Sequence, residues 1–133
     1  MSVIPGYGVG DIIAVSSLAW KIYKSFRDAP KNFKNISTEL LSLHAVLKEV
    51  EEAVAANSFR QATLDGLATI LTGCRDVLTE LEALMEKYKG LGAQTRWTWD
   101  RMHWHAGDVA ELRQRMTSNV GMLTAWMRYA LSF

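Results

Sequence analysis

The sequence predicts an all-α protein, an antiparallel bundle of four to five helices. Three observations carry that prediction. Pro5 and Pro30 are the only prolines in 133 residues, so little interrupts a helix by removing a backbone donor or crowding the preceding turn. Apolar residues recur at alternating steps of three and four through most of the chain, the spacing that gathers side chains on one helical face. No stretch alternates with the period of two that a half-buried strand requires. Short polar links between strongly periodic runs then make neighbouring helices antiparallel. The helices are expected at about 11–28, 30–56, 60–89, 94–106 and 108–131.

The first helix, over 11–28, follows the glycines Gly6, Gly8 and Gly10. Residues 1–10 read as a mobile arm, with Asp11 capping the helix. Ile12, Val15, Leu18, Ala19, Ile22, Tyr23 and Phe26 fall on one broad face, and Lys21, Lys24 and Arg27 on the other. Ile13 and Trp20 lie off the stripe, beside those bases. Two readings stand for that pair. They are ordinary exposed hydrophobes, or an apolar-aromatic patch suited to an anionic membrane surface.

The second helix has Asp28 as its expected cap and Pro30 in its first turn. Its stripe is Phe33, Ile36, Leu40, Leu43, Leu47, Val50 and Val54, and the pattern fades at Ala55–Ser58. The third carries Leu64, Leu67, Leu71, Cys74, Leu78, Leu81, Met85 and Tyr88, widened by Ile70, Val77, Leu84 and Leu91. A stripe that wide suits a helix with two neighbours. It should end at Gly90-Leu91-Gly92. The last stretch has Val109, Leu112, Met116, Val120, Leu123, Met127 and Ala130, after a break at Gly107-Asp108 where Asp108 can cap. The expected packing core is therefore Ile22, Phe26, Leu40, Leu43, Leu47, Val50, Leu71, Leu78, Leu81, Leu112, Met116 and Leu123.

Composition narrows the function classes. With 49% hydrophobic and 22% charged residues, the balance is that of a globular domain large enough to bury a core. The net charge of +1 supplies no field for nucleic acid, although both ends are basic and the middle acidic. A single cysteine, Cys74, excludes an internal disulfide and a cysteine-based zinc site. The opening segment lacks the basic flank of a signal peptide. Its apolar run from Val9 to Trp20 is shorter than the roughly 20 residues of a membrane span, and Asp11 interrupts it.

Candidate chemistry is sparse. The glycines at 6, 8 and 10 follow no strand and precede no Gly-Lys-Ser/Thr, so they match neither nucleotide-binding fingerprint. Trp97–His105 is rich in aromatic residues and reads as a helix packed on the bundle, with stacking on single-stranded nucleic acid as its other use. His103 and His105 are two apart and point in different directions on a helix, which does not favour a shared metal. His44, beside the second stripe, reads as a packed histidine. No nucleophile–base pattern is present. The expectation is a non-enzyme with no cofactor and no metal.

The stretches GYGVGDIIAVSSLAWKIYKSFRDAP, LLSLHAVLKEVEE, WDRMHW and ELRQRMTSNVGMLTAW together resemble the HeLo-like N-terminal domain of fungal NOD-like receptors, the STAND proteins, across nearly the whole chain. The resemblance implies one domain over 1–133, excised from a longer multidomain chain. It also implies a cell-death output in programmed cell death and heterokaryon incompatibility: a cytoplasmic bundle that oligomerises, moves to the plasma membrane and permeabilises it through its N-terminal helix. The membrane-active segment would then comprise Asp11, Ile13, Trp20, Lys21, Lys24 and Arg27. The implied partners are anionic lipids, further copies of the chain and downstream receptor domains, with no nucleic acid. The alternative is a self-association module of a fungal immune receptor that never inserts.

Overall fold

The computed structural model describes residues 8–27, 34–89 and 106–132. Four helices account for almost all of these: α1 Val9–Phe26, α2 Lys34–Ala56, α3 Gln61–Lys89 and α4 Ala106–Leu131. No strand occurs among the described residues, and the all-α bundle is the fold. Of the expected helix over 94–106, residues 94–105, with the aromatic stretch Trp97–His105, lie outside the described residues, as do Asp28, Pro30 and Phe33.

The helices form a four-cornered bundle. α1 packs chiefly along α2 and also on α3, while α4 packs on both α2 and α3. α1 and α4 are therefore diagonal to each other, and so are α2 and α3. Specific contacts give the directions. Asp11, early in α1, shares a cavity with Leu71 and Arg75 of α3, and Lys21, two to three turns later, reaches Glu82, so α1 and α3 run parallel. Arg113 of α4 meets Glu39 of α2, both near their helix starts, at 2.7 Å; α2 and α4 are parallel too. Trp126 near the end of α4 donates to the carbonyl of Thr63 near the start of α3, 2.9 Å. The pairs α3/α4 and α1/α2 are thus antiparallel.

The core is the meeting of the four stripes. From α1 come Ile12, Val15, Ala19, Ile22 and Phe26; from α2, Ile36, Leu40, Leu43, Leu47 and Val50. α3 supplies Leu67, Leu71, Cys74, Val77, Leu78, Leu81 and Met85, and α4 Val109, Leu112, Met116, Leu123, Trp126 and Ala130. The breadth of the α3 contribution follows from its two packed neighbours. Asn57 closes α2 by donating to the carbonyl of Ala53, 2.8 Å, satisfying one of the carbonyls a helix end leaves unpaired.

Two expectations at the helix starts need correction. α1 begins at Val9, so Val9 and Gly10 belong to the helix rather than to an arm. Gly8 occupies the N-cap position and no side chain caps it. Asp11 is the third helical residue, and its own N–H donates to the Gly8 carbonyl, 3.2 Å. It favours the positive helix end as a first-turn acid, but it is not the cap. α4 begins at Ala106 and runs through Gly107 and Asp108, so Asp108 lies inside the first turn.

A third correction concerns register in α4. The buried stripe there is Val109, Leu112, Met116, Asn119, Leu123, Trp126 and Ala130, whereas Val120 and Met127 are only partly buried. The steps still alternate three and four; they pass through Asn119 and Trp126 instead of their apolar neighbours. Trp126 earns the inner position because its indole N–H finds Thr63 and its ring meets Phe59 edge-on, centroids 5.5 Å apart. A buried indole needs such a partner for its polar atom.

Candidate functional site

α1 presents three distinct surfaces. Its inner face is closed: Ile12, Val15, Ser16, Ala19, Ile22 and Phe26 are buried. Ser16 had no place in the sequence-based stripe. Like Ala19 it is small, and it is 3% exposed. The outer face carries Ile13 and Trp20, 43% and 40% exposed, with Lys24 and Arg27 exposed on the same helix.

Trp20 is nonetheless engaged. Its ring lies 5.1 Å, centroid to centroid, from Tyr23 and 5.1 Å from His44 of α2. The three rings roof the α1/α2 groove. Burial, and secondarily the nearby Lys48 ammonium, holds the His44 imidazole below its ordinary pKa, with Glu51 opposing. Lys21 is tied to the other neighbour, its Nζ 2.8 Å from Glu82 Oε2. The hydrogen bond to Glu82, then its charge, raises the Lys21 pKa. The bases expected to act together therefore divide: Lys21 reaches to α3, while Lys24 and Arg27 stay on the outer surface.

The third surface is a cavity of about 370 Å³ between α1 and α3. Asp11, Val15 and Leu18 line it from α1, Leu71, Thr72 and Arg75 from α3. Asp11 Oδ2 is buried and has no hydrogen-bond donor. That is unusual, since buried polar atoms are nearly always paired. Neither Thr72 nor Arg75 stood out in the sequence, because each sits beside the α3 stripe among other polar residues. Only the parallel packing of α1 on α3 brings them to Asp11.

Elsewhere the polar contacts clamp helices together. Arg113 and Thr117 of α4 both engage the Glu39 carboxylate, at 2.7 and 3.3 Å. Arg115 pairs with Glu80 of α3, which lowers the Glu80 pKa and raises that of Arg115. Cys74 is buried, and burial pushes its thiol up to about 12, so the nucleophilic thiolate is suppressed at neutral pH. Among the described residues no group of three or more His, Cys, Asp or Glu could hold a metal ion. None of the described helices is long and apolar enough to cross a membrane.

No curated protein and no solved structure matches the chain. A family model does, over residues 9–130, from the first residue of α1 to within one residue of the end of α4. On that match the chain belongs to the family described as pigment biosynthesis cluster protein PigL, N-terminal.

Proposed function

We propose that this chain is a HeLo-like signalling-output domain of a fungal receptor-type protein, a non-enzymatic module that oligomerises and permeabilises membranes through α1. Membership in a family of N-terminal domains supports a place at the head of a longer chain. The observation that carries the reading is the double character of α1. One side is a buried apolar stripe; the other bears Ile13, Trp20, Lys24 and Arg27, the aromatic-and-basic set that suits an anionic lipid surface.

A single α1 cannot span a bilayer on its own, since no described helix has the apolar length. Permeabilisation by this route therefore needs several copies whose polar sides face one another. Asp11 would then lie along a hydrated lumen, because a carboxylate in hydrocarbon is costly. In this scheme the domain moves from the cytoplasm to the inner face of the plasma membrane when its receptor is activated.

Dye leakage from vesicles rich in anionic lipid tests the proposal. The Lys24→Glu, Arg27→Glu double variant leaves the Lys21–Glu82 pair untouched. It should bind such vesicles about tenfold or more weakly, given roughly 1 kcal/mol per base near the surface, and lose leakage. Unchanged leakage by the variant contradicts the proposal. Self-association of the wild type without leakage would favour the second reading, a module that assembles and never inserts. That reading draws support from the short apolar length of α1.

A further inference from the structure

We propose that the outer face of α4 is a docking surface for a second copy of this chain, the two α4 helices packing antiparallel. The contact is made by closed bundles in solution, so it does not rest on release of α1 or on membrane action.

The face is defined by where α4 puts its charges. A helix on the surface of a bundle ordinarily turns charged side chains to water. Between Arg115 and Arg128, however, the sequence carries no charged residue. The two arginines at the near end of that stretch are drawn sideways, Arg113 to Glu39 of α2 at 2.7 Å and Arg115 to Glu80 of α3. Ser118, Gly121, Met122 and Ala125 then face away from the bundle, all exposed. Met122 and Tyr129, two turns apart on the same side, are 45% and 53% exposed. Large apolar side chains on an uncharged face lower the free energy by leaving water together.

The ends of the stripe single out a second copy as the occupant. Glu111, Ser118 and Ala125 are spaced by seven and share a face, and Arg128 follows Ala125 by one turn. An acid therefore stands at one end and a base at the other, about 25 Å apart along the helix. Both are exposed, and Glu111 makes a loose contact of 3.7 Å with Arg115. A parallel copy would set acid beside acid and base beside base. An antiparallel copy sets each Glu111 end beside the Arg128 end of its neighbour, and two-fold symmetry makes that contact twice. The face is thus complementary to itself. Side-chain size at the contact sets how near two helix axes come. Ser118, Gly121 and Ala125 are small, so the axes come close and Met122 and Tyr129 flank the seam. A contact confined to one helix is smaller than the roughly 800 Å² per partner of a standard interface, so the dimer is weak and depends on concentration.

Sedimentation equilibrium of the whole chain tests this, without lipid and at low ionic strength, where exposed charges are least screened. The mass should rise from monomer to dimer over a roughly hundredfold range of concentration. Ala125→Glu sets a charge in the middle of the seam and should weaken the dimer about tenfold or more. Ser17→Glu, on the diagonal helix α1, should leave it unchanged. Glu111→Arg and Arg128→Glu should each weaken it about fivefold, and the two together should restore wild-type affinity, since the opposite ends attract again. Unfolding curves confirm that each variant folds. A monomer at every concentration overturns the proposal. So does a dimer indifferent to Ala125→Glu, equal weakening by Ser17→Glu, or a double swap no tighter than the single ones.

Discussion

Asp11 is the residue at which local preference and packing disagree. A first-turn acid gains about 0.3–1 kcal/mol from the helix dipole. Against this, Oδ2 is buried without a donor, a loss of about 1–3 kcal/mol. The second effect is larger. Asp11→Ala removes the unpaired oxygen together with the charge, so it should raise unfolding stability by about 1 kcal/mol in urea titrations. A loss of stability would mean that the dipole term dominates. The sequence made Asp11 conspicuous as the single acid in an apolar segment. It did not reveal the burial of Oδ2, which depends on α3 lying alongside. His44 offers a second check at this scale. Its pKa is lowered by burial in the fold, so the unfolded chain binds more protons as pH falls through the ordinary value near 6.5. Stability should therefore decline as pH falls from 7.5 to 5.5, and His44→Gln should flatten that part of the profile. An unchanged slope would show that the imidazole is not desolvated beside Trp20.

The α2 stripe was readable because each of its positions from Ile36 to Val50 has a polar or charged neighbour on at least one side, and the apolar neighbours Leu41 and Val46 fall off the spacing of three and four. Leu40, Leu43, Leu47 and Val50 are all fully buried. Leu47→Ala should cost about 2–5 kcal/mol. Leu41→Ala should stay within about 0.5 kcal/mol, since Leu41 is 43% exposed. Denaturant unfolding of the two variants checks the register, and similar losses would refute it. α4 was harder to read because apolar residues stand on both sides of the true stripe. The choice of Asn119 over Val120 and of Trp126 over Met127 is made by α3. Gly73 leaves space there, such that a Cβ on it would come within 3.4 Å of Asn119 Oδ1, and Thr63 offers its carbonyl to Trp126. Neither partner is visible from α4 alone. The start of α1 was missed for a related reason: a glycine can hold the N-cap without any side-chain signal.

At the scale of the molecule, the fold class followed from periodicity, but the corner arrangement did not. Stripe width showed that α3 has two neighbours without naming them. The arrangement bears directly on α1, which is held on two sides, by α2 and by α3. Its release would expose Ile12, Val15, Ile22 and Phe26, at about 1.5–3 kcal/mol each. The total is comparable with the whole stability of a domain, about 5–15 kcal/mol. In the function proposed above, release of α1 therefore requires that a membrane or another copy take up the same face, and the open state would be rare beforehand. Covalent tethering measures this most directly. Lys21→Cys and Glu82→Cys replace the ion pair joining α1 to α3, and a short bifunctional maleimide can bridge them. Cys74, buried with its thiol pKa pushed up to about 12, stays unmodified. Dye leakage from anionic vesicles is then compared before and after bridging. The account predicts that the unbridged protein leaks dye, and that the bridged protein, equally folded, does not. Equal leakage from both, or leakage from neither, would contradict it.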